Sequence, residues 1–244
     1  MNQKLNDIYS FLIENRAYNL PVQIGAYKTA MLPYSTTYDK VYALLYNILN
    51  SQSQLNMNKS AVFFQTIADP ANSLNSFTDF LKTIGATNNT STSYSSIFQL
   101  LSKQPSWGNK TAALFTKAVY HTHIGYAKEL NFWSDAPLQL LNDDKIYLPV
   151  DAVILHIFEN LGNPCKNNFL EINKYIKDKL PDTDFEVWDD LWFWGFITQK
   201  VHENKRILEF NRAKYWNIHH APKDKDTIAK TEILANQFIH LLKN

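Results

Sequence analysis

Apolar residues recur along most of this chain at intervals of three and four, the spacing that gathers side chains on one face of a helix. Leu5, Ile8, Phe11 and Leu12 form one such stripe, and Tyr38, Val41, Leu44, Leu45 and Ile48 form another. The same pattern predicts helices over 59–68, 74–84, 109–128, 149–161, 168–180, 185–202 and 226–243, with Ser73, Asp182 or Asp184, and Asp226 as N-caps. From Thr87 to Ser96 an Asn/Thr/Ser tract supplies side chains that compete for backbone hydrogen bonds, which predicts a loop. Between Asn131 and Tyr147, Pro137 and the Asn142-Asp143-Asp144 turn leave room for one short helix between connectors. Only 6 glycines in 244 residues and no internal repeat complete the expectation of an all-α chain.

Composition narrows the picture. A chain that is 45% hydrophobic and 14% aromatic can bury one large core or two modest lobes without covalent staples. The single cysteine, Cys165, excludes an internal disulfide and a four-cysteine iron–sulfur cluster, and fits a reducing, cytoplasmic setting. Met1 to Asp7 lacks the basic and apolar regions of a signal peptide, and the longest apolar runs, such as Leu191 to Ile197, are too short to span a bilayer. A net charge of +1 excludes a large sequence-blind nucleic-acid binder, so any contact with nucleic acid must be local.

One local candidate stands out. In Pro105-Ser106-Trp107-Gly108-Asn109-Lys110-Thr111-Ala112, a Pro and a Gly turn the backbone just ahead of a helix N-terminus. Amide N–H groups there can hold a phosphate, and Lys110 sits beside them. Leu148-Pro149-Val150-Asp151 follows, 41 positions from Lys110 to Asp151. The two segments together resemble the helix-hairpin-helix DNA glycosylases, whose hairpin has the form Leu-Pro-x-x-Gly-x-Lys-Thr-Ala and whose aspartate follows in Pro-Val-Asp. The resemblance spans roughly residues 40 to 200 and implies a two-lobe helix-hairpin-helix DNA glycosylase fold. About residues 50–125 would make a central lobe ending in the hairpin, and 1–49 plus 126–244 a second.

The resemblance also implies a chemistry. Lys110 would be the nucleophile, attacking the sugar carbon that bears the base and leaving a Schiff base that permits strand cleavage. Asp151 would stabilise the developing positive charge and shuttle protons, although an aspartate at a helix start also serves as an N-cap. Lys117, two turns beyond Lys110 on the same face, is a candidate for the cation that favours a neutral Lys110 amine. The 41-residue separation is longer than the usual arrangement and is similar to that of the archaeal GO glycosylases, which remove 8-oxoguanine. Lys110-Thr111 with Lys117 resembles that branch's paired-lysine signature, in which the second lysine belongs to the base pocket. Asp190-Leu191-Trp192-Phe193-Trp194 resembles its Asp-x-x-x-Trp, implying that Asp190 bonds the flipped base and Trp194 stacks on it.

Trp188 and Trp192 then fall to packing, since aromatic stripes usually pack. A Leu-Ser-x-Gln-like segment ending the helix before position 55 offers Gln52 or Gln54 as a base contact, and Trp107, Gly108 and Asn109 would meet the DNA backbone. Phe63 and Phe64 are read as core, with a further stacking face as the alternative. Lys200, Lys205, Arg206, Arg212, Lys214, Lys223 and Lys225 either track a backbone or form a solvated surface. His121-x-His123 and His219-His220 lack further ligands at zinc spacing, and no Gly-rich phosphate loop or nucleophile elbow is present. The expectation is therefore a monomeric base-excision repair enzyme, a DNA glycosylase with AP lyase activity. It would remove an oxidised purine from damaged double-stranded DNA without metal or organic cofactor and without a membrane. The alternatives are a glycosylase of other base preference and a helical DNA-binding module that keeps the hairpin but performs no chemistry.

Overall fold

The computed structural model describes residues 2–162, 168–203 and 205–243, so Cys165 lies outside the described residues. In chain order the helices are α1 (Asn2–Glu14), α2 (Arg16–Met31), α3 (Thr37–Asn50), α4 (Met57–Ile67), α5 (Phe77–Thr83), α6 (Tyr94–Leu101) and α7 (Asn109–His123). After a single 3₁₀ turn, Lys128–Leu130, come α8 (Ala152–Asn160), α9 (Phe169–Lys179), α10 (Phe185–Trp188) and α11 (Asp190–Ile197). A hairpin of β1 (Gln199–His202) and β2 (Lys205–Leu208) precedes α12 (Arg212–Asn217) and α13 (Lys225–Lys243). The fold is all-α apart from this antiparallel pair, in which Gln199 faces Leu208 and His202 faces Lys205. Among the described residues no helix is long and apolar enough to cross a membrane.

The chain forms two compact units. One joins residues 1–25 to 150–244; the other is the continuous stretch 26–149, so α2 begins in the first and ends in the second. In the first unit the predicted stripe Leu5, Ile8, Phe11 and Leu12 is buried, with Phe11 set edge-on to Trp194 and tilted against Phe238 of α13. Burial of each such side chain is worth about 2 kcal/mol. α11 lies close on α8 because residue 195 is glycine. A Cβ there would stand 2.5 Å from Ile157 Cδ1 and 2.8 Å from Val153 Cγ1.

In the second unit Val41, Leu44, Leu45 and Leu49 make the buried face of α3, while Tyr38 and Ile48 stay half-buried at its margin. Phe63 of α4, Phe80 of α5 and Phe115 of α7 are enclosed.

Several boundaries differ from the sequence reading. α6 starts at Tyr94 inside the expected loop, because Ser93 accepts from the Ser96 amide and ends the polar tract as an N-cap. Ser76 rather than Ser73 caps α5, and Asp224 rather than Asp226 accepts from the Thr227 amide at the start of α13. Asp184 caps α10 as expected. The helix expected over 185–202 ends at Ile197, where the chain turns into β1 and the Gln199 side chain donates to the Val153 carbonyl. No helix forms between residues 131 and 147. That segment is pinned by Asp135, which accepts from the Phe77 and Thr78 amides, and by Asp144, which accepts from Ser95.

Candidate nucleic-acid interface

Residues 102–108 fold into a tight turn between α6 and α7. Ser106 adopts φ 69, a left-handed conformation that costs a side-chain-bearing residue about 1 kcal/mol. Two bonds from elsewhere and one within the turn hold it in place. Gln52 Nε2 donates to the Ser106 carbonyl at 3.3 Å, the Ser60 hydroxyl donates to Ser106 Oγ at 3.0 Å, and the Trp107 amide donates to the Gln104 carbonyl. Trp107 is only 6% exposed and packs between Phe63 (5.2 Å) and Phe115 (6.2 Å). Its side chain is thus an anchor for the turn rather than a DNA contact, because an indole enclosed by two rings has no face left to offer.

Gly108 is the next residue, and its own protein does not require it. Its φ of −130° and ψ of 179° are open to any residue, and a Cβ would meet nothing within 4 Å. The Gly108 amide donates to Thr111 Oγ1 at 3.0 Å, which fixes the first turn of α7. Asn109 and Lys110 begin that helix, with Asn109 exposed and Lys110 half-exposed. Seven residues on, Lys117 is half-buried on the same face. Gln52 is spoken for by the Leu49 and Ser106 carbonyls through its amide nitrogen, and Gln54 is exposed.

Asp151 belongs to the other compact unit. It caps α8, with Oδ1 accepting from the Val153 (2.8 Å) and Ile154 (3.0 Å) amides, and its Oδ2 accepts from Trp192 Nε1 at 3.0 Å. Trp192 is 38% exposed and stacks on Phe196, rings 4.8 Å apart at 13°, with Lys214 Nζ 4.7 Å from the Phe196 centroid. Burial and the neighbouring Arg206 lower the Lys214 pKa, against the pull of Asp151.

The expected base-reading pair on α11 is placed otherwise. Trp194 is fully enclosed by Phe11, Tyr18 and Phe193, so it has no free face on which a base could stack. Asp190, 2% exposed, accepts from Asn19 Nδ2 at 2.6 Å and pairs with Arg16 Nε at 3.4 Å, which makes it part of the interior. Trp192, assigned to packing, is the exposed indole, whereas Trp188 is buried as expected. Every side of α11 is apolar apart from its first residue, so its sequence carries no phase from which to choose the outward face.

Most of the basic cluster after α11 is engaged internally. Lys200 pairs with Glu209, Arg206 donates to Gln199, Arg212 pairs with Glu232, and Lys223 donates to the Tyr215 and Ile218 carbonyls. These groups brace the hairpin and α12 more than they offer a track for phosphates.

His121 and His123 are bonded within the interior as well. His121 Nδ1 faces the hydroxyls of Tyr27 (2.9 Å) and Tyr126 (2.8 Å). His123 Nε2 accepts from the Trp133 amide at 3.1 Å, so Nδ1 carries the proton and donates to the Val119 carbonyl at 2.8 Å. Burial outweighs the Val119 bond and Asp135 and lowers the His123 pKa to about 4. The unfolded chain therefore takes up a proton near pH 6.5 that the folded chain refuses until about pH 4. Stability should fall by up to about 3 kcal/mol across that window. Thermal melts between pH 7 and 4 should show this slope flattened in His123→Gln, and an unchanged slope would refute the assignment.

Compared with models of protein families, with curated proteins and with solved structures, the chain matches none.

Proposed function

We propose that this chain is a helix-hairpin-helix DNA glycosylase and AP lyase that removes an oxidised purine, 8-oxoguanine foremost, from duplex DNA. The observation that carries the reading is the turn at 105–110: a strained, externally braced loop delivers a glycine with no internal reason to be glycine, followed at once by a half-exposed lysine. Bare backbone at a helix N-terminus suits close approach of a phosphate. Neutral Lys110 Nζ then attacks the sugar carbon and the base departs with the bonding electrons and a proton. The C1′–O4′ bond next opens, the ring oxygen taking up the proton shed by the lysine nitrogen, and the resulting imine, once protonated, allows loss of the adjacent sugar proton and departure of the 3′ phosphate oxygen. Asp151 supplies the negative charge that this cationic sugar requires. The two compact units are read as the lobes of this fold.

Gly108→Ala tests the grip apart from the chemistry. Its melting temperature should stay within a degree or two, since the backbone is ordinary and the space is empty, while affinity for duplex DNA falls about tenfold. Unchanged affinity would argue against a phosphate at this position.

The second reading, a DNA-holding module without chemistry, is favoured by Asp151, both of whose oxygens already accept hydrogen bonds. Borohydride trapping on a duplex with one 8-oxoguanine separates the two: a covalent adduct specific to the lesion supports the enzyme. No adduct on the lesion or on an abasic duplex, with binding retained, supports the module.

A further inference from the structure

Beside the braced turn lies an open cleft of about 690 Å³, within the range of small-ligand sites. Its walls come from the start of α4 and from the turn after α6. Lys59 and Lys103 are both exposed on it, and no carboxylate is among the residues lining it. Asn56 presents an amide, and Gln52 spends its amide nitrogen on the Leu49 and Ser106 carbonyls, which leaves its amide oxygen as an acceptor. Val62 supplies an apolar wall at 49% exposure. At the edge stands Ser106, whose left-handed backbone is held by bonds from Gln52 and Ser60. Strain retained in this way is characteristic of ligand sites.

Two cations, uncharged donors and acceptors, and a small apolar wall call for a ligand with an anionic group, a hydrogen-bonding edge and a flat apolar face. We infer that this cleft binds an unpaired nucleotide, with its phosphate at Lys59 and Lys103 and its base edge at the Gln52 and Asn56 amides. An unpaired base offers these amides its Watson–Crick edge as well as the groove edge that a paired base shows. The inference goes beyond the proposed repair reaction and does not depend on Lys110.

The test uses the full chain, the Lys59→Gln/Lys103→Gln double variant, and Lys82→Gln, whose lysine lies on α5 paired with Asp79 outside the cleft. Each is titrated with adenosine monophosphate by calorimetry and with a labelled single-stranded oligodeoxynucleotide by fluorescence polarisation. The double variant should lose about tenfold in affinity for whichever probe binds, with a salt dependence shallower by roughly one to two counter-ions. Lys82→Gln should match the parent. Binding of both probes assigns the cleft to free nucleotides, and binding of the oligonucleotide alone assigns it to one unit of a strand. No saturable binding of either probe, equal affinity in the double variant, or an equal loss in Lys82→Gln overturns the inference. Because Gly108→Ala and Lys110→Gln leave these lysines in place, failure of the repair reading and failure of this one are distinguishable.

Discussion

Lys110→Gln should abolish borohydride trapping on 8-oxoguanine duplex and lower strand cleavage by at least about a thousandfold, the scale on which loss of a covalent nucleophile is felt. Folding should be nearly untouched. Lys110 is half-exposed in the first turn of α7, where glutamine is a good helix former and the turn is held by Ser60, Gln52 and Thr111. Duplex affinity should fall only severalfold, since one phosphate-facing charge is removed. A variant that still forms the adduct would place the nucleophile elsewhere. Lys214 is then the next lysine to examine, because it lies over Phe196, next to the indole that Asp151 holds. Asp151→Asn is a less clean probe. Asparagine would still cap α8, but its side-chain amide nitrogen would face Trp192 Nε1 donor to donor if the oxygen keeps the cap.

The largest effect on stability should come from Arg16→Met, at about 3 kcal/mol, read from chemical denaturation. Arg16 offers Nε to Asp190 at 3.4 Å and a terminal nitrogen to Glu186 at 3.6 Å, and Asp190 is almost wholly buried. The guanidinium is the charge that faces this buried carboxylate, beside the bond from Asn19, and its removal leaves the negative charge uncompensated by Arg16. Adding Asp190→Asn to Arg16→Met should recover part of the loss, since an amide keeps the shape and drops the charge. A single variant that unfolds within about 0.5 kcal/mol of the parent would show that the pair is not what holds Asp190 in place.

Much of the helical scaffold was legible because its stripes are one-sided. Leu5, Ile8, Phe11 and Leu12, and Val41, Leu44 and Leu45, each face a core as their spacing predicts. What escaped the sequence has physical reasons. The octapeptide 190–197 is apolar all round, so periodicity could not say that Trp192 rather than Trp194 faces out. Asp190 matches the Asp-x-x-x-Trp pattern of a base reader, yet it pairs with Arg16, far away in sequence and reached only through tertiary packing. The cleft at Lys59 and Lys103 joins two segments more than forty residues apart, and no local pattern marks such a meeting. Ser106 shows the reverse case: only the backbone angle reveals that a residue ordinary in sequence is held in a conformation more typical of glycine.

The division of the chain between its two units also orders events during synthesis. Residues 26–149 form one unbroken stretch and can collapse as soon as they leave the ribosome, with mostly local helix pairs to assemble. The other unit is split: α1, with Leu5, Ile8, Phe11 and Leu12, is made before residues 26–149, while their partners on α11 and α13 are made after them. The apolar face of α1 thus stays uncovered until α11 and α13 have been made, and that interval is when a nascent chain is most exposed to aggregation or to capture by a chaperone.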